Sequence, residues 1–154
     1  MTAQTWLGVV VLTGSGLTAG VLYAVALSVV PAFRALSPQR YVETHKLIGR
    51  RFDLVMPPTV LTWTVGDVVA AVLTGHPVVR LLLLVAAAAG CAVAVVSQLG
   101  NVPINRRVKA LPAGALPPHW PDPRAHWRAF NLLRTGFAVL GLVANAAAVS
   151  HPSW

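Results

Sequence analysis

The sequence predicts an all-α fold: an integral membrane four-helix transmembrane bundle with a cytoplasmic helix between spans 1 and 2. Three observations carry that prediction. Of 154 residues, 56% are hydrophobic and only 10% charged, where soluble domains carry about a quarter charged residues. The apolar residues fall in blocks of membrane-spanning length and show neither a period-2 nor a heptad pattern, and the mean hydropathy is +0.68. The charges collect between those blocks.

A helix needs about 20 apolar residues to cross a ~30 Å hydrocarbon core, and one domain, 1–154, offers four spans: about 6–33, 57–74, 79–100 and 130–149. The first holds no charge from Trp6 to Phe33 and is too long for a signal-peptide core, so it is expected to stay as an anchor. After it, Ser37 is placed to cap a helix with Pro38 at its first position. That helix should stop before Met56-Pro57-Pro58, because two prolines remove two ladder donors. Thr74-Gly75-His76-Pro77 is a breaker turn between the second and third spans. Residues 111–123 carry five prolines and should be extended, up to a helix capped by Asp122 with Pro123 first. There is no internal repeat.

Twelve Lys and Arg against four Asp and Glu give a net charge of +8. In a soluble protein that would suggest nucleic acid, but aromatic residues are not interleaved with the basic ones, so no nucleic-acid partner is expected. Segment 34–53 holds five basic residues and 106–128 another five, whereas the 75–80 turn holds only Arg80 and the tail after 149 none. The positive-inside rule then puts both long loops in the cytoplasm and both termini outside, in the cell's cytoplasmic membrane. The single cysteine, Cys91, rules out an intramolecular disulfide and a cysteine-based metal cluster. No Gly-rich dinucleotide fingerprint, P-loop or zinc-protease motif is present, which argues against NAD, ATP and peptide hydrolysis.

Polar residues inside hydrocarbon are costly and are functional candidates by default. Most of them cluster at one end. The third span leaves through Asn101-Val102-Pro103-Ile104-Asn105-Arg106-Arg107, and Asn101 and Asn105 share a face if the helix continues across Pro103. The fourth opens with Trp127, Asn131 and Arg134 at i, i+4 and i+7, again one face. Arg134 lies inside the apolar block, so it should point into the bundle and find acceptors, the nearest being Asn101, Asn105, Glu43 and Asp53. The alternative is that Arg134 snorkels to the headgroups and the asparagines cap a helix end. The cytoplasmic helix adds a stripe of His45, Gly49 and Asp53. Imidazole titrates near neutrality, so His45 or His126 is a candidate general base, against an interfacial hydrogen-bonding role. A metal site would need His45, His126 and Asp53 to converge, a set suited to copper, iron or zinc. Asp67 and Asn145, deeper in the second and fourth spans, should form a buried hydrogen-bonded pair or a second polar site. Gly16 and Gly20 form a GxxxG pair, with Gly8 on the same helix; it permits close approach of a helix from this bundle or from a second copy, as in a homo-oligomer.

The charge-free first span ending in Val30-Pro31-Ala32-Phe33, the Asn-x-Pro-Ile-Asn-Arg-Arg exit and the Trp127-x3-Asn131-x2-Arg134 opening together resemble the anthrone oxygenase-like family of small membrane proteins. The resemblance covers most of the chain. It implies oxidation of anthrones to anthraquinones in polyketide biosynthesis, with no organic cofactor, and marks Asn101, Asn105, Trp127 and Arg134 as signature positions. An oxygenase or oxidase of this kind would take a hydrophobic aromatic substrate and dioxygen, both of which dissolve in membrane lipid. Such a protein must remove one proton and stabilise the resulting anion. His45, Arg134, Asn101 and Asn105 are then the catalytic candidates, and Trp127 and Asn131 the substrate-binding ones. No cofactor is expected, with a copper or iron ion as the alternative. A metal-dependent membrane oxidoreductase and a non-catalytic membrane subunit or small-molecule binder are the competing readings.

Overall fold

The computed structural model describes residues 2–112, 116–117 and 119–154. It is all-helical, with no strand among the described residues. Helix α1 (Ala3–Ala24) passes through a π-helical turn, Val25–Val29, into α2 (Val30–Ala35). Helix α3 (Pro38–Leu73) leads by a short turn to α4 (Pro77–Val96), a second π turn at Ser97–Asn101 and α5 (Val102–Ala110). Helix α6 (Arg124–Val149) closes the chain. Among the described residues four stretches are long and apolar enough to cross a membrane: Ala3–Ala35, Arg51–Leu73, Pro77–Ala110 and Arg124–Val149. The two charge-rich segments lie together at one end of the bundle, called here the basic end.

Both π turns have the same cause. Pro31 and Pro103 each follow one, and a proline in an α-helix clashes with the carbonyl four residues back. Those carbonyls belong to Leu27 and Leu99, inside the π turns, where the wider turn makes room and the helix continues. The expected break at Pro57-Pro58 does not occur, and α3 runs through both. The two carbonyls that lose donors belong to Asp53 and Leu54, which are exposed. Tyr41 and His45 below the prolines and Trp63 above them are buried, so packing on both sides holds the rod together. Ser37 and Pro38 start the helix as expected, although the serine hydroxyl makes no capping bond. Asp122 acts one position early: α6 begins at Arg124, whose N–H donates to Asp122 Oδ1 at 3.0 Å. Of the segment expected to be extended, Ala113, Gly114, Ala115 and Pro118 lie outside the described residues; the others are not helical.

The centre of the bundle is built around Trp63, which is fully buried and donates its indole N–H to Thr18 Oγ1 at 3.1 Å. Glycines from the other three spans make room for it. A Cβ on Gly14 would lie 2.7 Å from Trp63 Cβ, on Gly90 2.9 Å from Cη2, and on Gly141 2.8 Å from Cη2. Within the bundle, close approach therefore falls to these glycines and not to the GxxxG pair. Gly16 meets only Leu142, at 3.9 Å, and Gly20 faces open space. Farther from the basic end, Asp67 and Asn145 are completely buried and come together as the expected pair, although their contact falls short of standard hydrogen-bond geometry.

Candidate functional site

At the basic end the spans part around a cavity of about 460 Å³, within the ~300–1,000 Å³ usual for small-molecule pockets. Val25 and Val29 from the first π turn, Ser97 and Gln98 from the second, and Phe33, Met56, Val60 and Val93 supply much of its wall. The predicted stripe His45, Gly49 and Asp53 lines it together, and so do Asn105, Trp127 and Arg134.

Asn105 organises the polar corner. Its Oδ1 accepts the indole N–H of Trp127 at 2.9 Å and faces His45 Nε2 at 3.1 Å. An indole can only donate, so Trp127 fixes which end of the amide is the oxygen. That oxygen then requires a proton on His45 Nε2. The imidazole's free lone pair is on Nδ1, which is buried without a partner. The ring is 3% exposed, stacked on Phe33 and edge-on to Tyr41 and Trp127. Burial pushes its pKa down from 6.5 to about 4, against the opposing pull of the Asn105 hydrogen bond, so His45 is neutral near neutrality. Trp127, expected to bind substrate, lines the cavity while 7% exposed, and its indole N–H is given to Asn105.

Asn101 and Asn131 are fully buried and stand behind the cavity wall. Asn101 donates its amide N–H to the Trp127 carbonyl at 3.1 Å, joining the π turn to α6. Asn131 Oδ1 accepts from Arg134 at 3.0 and 3.3 Å. Of the acceptors expected for Arg134, none is its partner. Glu43 is exposed, Asp53 is paired with Lys109, Asn105 is occupied by Trp127 and His45, and Asn101 is bonded to the Trp127 carbonyl. The ion pairs among the described residues are Lys109–Asp53 and Arg124–Asp122. Arg134 thus presents a guanidinium to an apolar cavity with no carboxylate within 4 Å. It lies ten residues into α6, about 15 Å along the axis, and lines the cavity, so it is not snorkelling outward.

The metal-ligand set His45, His126 and Asp53 is not assembled. On α6 His126 immediately precedes Trp127 and points about 100° round the helix from it, and with Trp127 inward His126 is exposed. Among the described residues no three His, Cys, Asp or Glu side chains come together as a metal site.

Residues 46–144 match the anthrone oxygenase family. The chain belongs to that family. No curated protein and no solved structure matches it. The matched stretch covers most of α3 and all of α4 and α5, and α6 as far as Ala144, so Asn105, Trp127 and Arg134 lie inside it and His45 just before it.

Two residues of the site were not singled out from sequence. Tyr41 is fully buried beside His45, one helical turn before it, and burial holds its phenol well above the usual range, so it stays neutral. The signal was present as an i, i+4 aromatic pair. Arg124, read only as a loop charge, donates to the carbonyls of Phe33 and Leu36 at 2.8 and 2.7 Å and sits over the Tyr41 ring. It ties the end of α2 to the start of α6; nothing in the spacing signals a contact across that separation.

Proposed function

We propose that the protein is a membrane oxygenase that converts the acidic methylene of a flat, hydrophobic, anthrone-like ketone to a carbonyl with dioxygen. The observation that carries this reading is Arg134, an unpaired guanidinium on the wall of an apolar cavity in a member of the anthrone oxygenase family. A cation with no carboxylate within 4 Å, and with Asp53 on the same wall already paired with Lys109, is a ready receptor for an anion that develops in place. Loss of one methylene proton gives an aromatic enolate whose oxygen Arg134 stabilises. The electron-rich carbanion carbon bonds to dioxygen, and the peroxide, once protonated, loses water to leave the quinone. One CH₂ and one O₂ become one C=O and one H₂O.

Two groups on the same wall are candidates for the proton. His45 is neutral, and an enolate forming beside it raises its basicity, but its free Nδ1 lies behind the wall and the ring must turn to present it. Asp53 is a carboxylate already on the wall, held by Lys109. Asn105 and Trp127 set the imidazole's position; Asn101 and Asn131 hold the helices and the guanidinium. In this reading the basic end faces the cytoplasm and both termini face out, following the distribution of Lys and Arg.

The test is oxygen uptake and quinone formation from anthrone by the full chain in lipid nanodiscs, against protein-free nanodiscs. Uptake no faster than the protein-free background refutes the oxygenase reading. Loss of turnover in His45→Gln with Asp53→Asn active assigns the proton to His45; the converse assigns it to Asp53.

A further inference from the structure

The cavity is closed unevenly. Its lining residues from α1, the first π turn, α2 and α6 are all buried or half-buried. Every exposed lining residue belongs to α3 or to α4 and its extension. Phe52, Pro57 and Leu61 face Cys91, Ala94 and Gln98 across one gap, and the charged Asp53 and Arg106 lie toward the basic end. The gap begins at an identifiable contact. A Cβ on Gly90 would lie 2.1 Å from Thr64 Oγ1, so α3 and α4 touch there, and from that contact to the basic end the cavity occupies the space between them. Leu61 is 64% exposed and lies ten residues, about 15 Å, from Arg51, at hydrocarbon depth in its span. Cys91 and Ala94 lie opposite, inside the third span.

We propose that the gap between α3 and α4, bounded by Leu61 on one side and by Cys91 and Ala94 on the other, is a lateral portal through which a neutral, bilayer-dissolved aromatic molecule reaches the cavity from the hydrocarbon. The proposal rests on the reading of the cavity as the substrate site. The edges of the gap at hydrocarbon depth carry no charge, so they pass an apolar molecule and oppose an ion. The substrate crosses uncharged and becomes an anion only beside Arg134. Once ionised it is opposed by the uncharged edges of the portal. The same geometry orients the substrate, with its ring edge toward the portal and its oxygen toward the guanidinium.

The test needs no turnover. The full chain in vesicles is photolabelled with a trifluoromethyl-phenyl diazirine, a small aromatic that partitions into the bilayer, and the labelled residues are mapped by mass spectrometry. Val60, Val93 and Trp127 line the cavity and are each less than a tenth exposed, whereas Leu84 faces outward. The expected result is label at all four, with most of the label on the three cavity residues lost in Leu61→Trp/Ala94→Trp and label on Leu84 unchanged. Both substitutions are at outward-facing positions, and Val72→Trp, outward-facing on α3 away from the cavity, should leave the whole pattern intact. Cavity label that survives the plugged variant overturns the portal. Label on Leu84 alone in the native chain also overturns it, and means that the gap is shut or filled by a lipid acyl chain. Anthrone-driven oxygen uptake is recorded on the same vesicles. No uptake with portal-dependent cavity label refutes only the oxygenase reading, and uptake with portal-independent label refutes only the portal.

Discussion

Arg134 should cost the empty protein stability and supply most of its rate, and substituting it separates the two. Its guanidinium meets one protein acceptor, Asn131 Oδ1, and no carboxylate within 4 Å, so little offsets the several kcal/mol needed to desolvate a buried cation. Arg134→Leu removes that penalty and leaves Asn131 Oδ1 without its donor, a loss of about 1–3 kcal/mol. The variant should therefore melt in detergent at the native temperature or above it. Its turnover should fall about 100-fold or more, the usual cost of losing one well-placed donor to a developing anion. Arg134→Lys keeps the charge but loses the planar fork, so it should remain folded with turnover also sharply reduced. Thermal unfolding and anthrone-dependent oxygen uptake measure both effects. A strongly destabilised Arg134→Leu beside a fully active Arg134→Lys would refute the reasoning and make Arg134 a packing residue.

Gly90→Ala should destabilise the bundle by roughly 1–3 kcal/mol, because the new Cβ falls 2.1 Å from Thr64 Oγ1 and 2.9 Å from Trp63 Cη2; Gly20→Ala, facing open space, should leave the melting temperature unchanged. His45 adds a pH dependence. Its folded pKa of about 4 lies below the ordinary 6.5, so the unfolded state binds more protons between those values. Stability should be full above pH 6.5 and fall as the pH is lowered toward 4, by on the order of 3 kcal/mol. Melting curves across that range should be steeper for the native chain than for His45→Gln, and equal slopes would exclude His45 as the source. For orientation, a cysteine at Gln39 should resist an impermeant thiol reagent in intact cells while one at Ser153 reacts, in a Cys91→Ser background; the reverse pattern would invert the assignment of the basic end.

Much of this architecture could be read from residue pattern alone, for a physical reason. Hydrocarbon imposes length and apolarity on each span, so the four helices were visible as blocks, and the faces shared by Trp127, Asn131 and Arg134 or by His45, Gly49 and Asp53 follow from helical periodicity. What pattern does not contain is which of several nearby partners a polar group takes. Asn105 was expected as an acceptor for Arg134 and instead holds His45 and Trp127, because both reach it from other helices. The prolines misled in the other direction. Pro57 and Pro58 read as a stop, yet packing on either side outweighs two lost hydrogen bonds, and Pro103 is absorbed by a π turn. The cage of Gly14, Gly90 and Gly141 around Trp63 was missed because its members come from three different spans; the GxxxG spacing drew attention to Gly16 and Gly20, which do not make the close contact.

The unbroken passage of α3 through Pro57 and Pro58 also determines where the rod can yield. Trp63, clasped by three glycines, anchors its upper half, and His45, bonded to Asn105, anchors its lower half. Between those anchors lie the two carbonyls, of Asp53 and Leu54, that have no helical donor, so the rod is most compliant there. Phe52, Met56 and Pro57 occupy the same stretch, and Leu61 stands one turn beyond it. The two missing helical bonds and the gap facing α4 therefore fall on the same stretch of α3, between an imidazole and an indole that are each held by another helix.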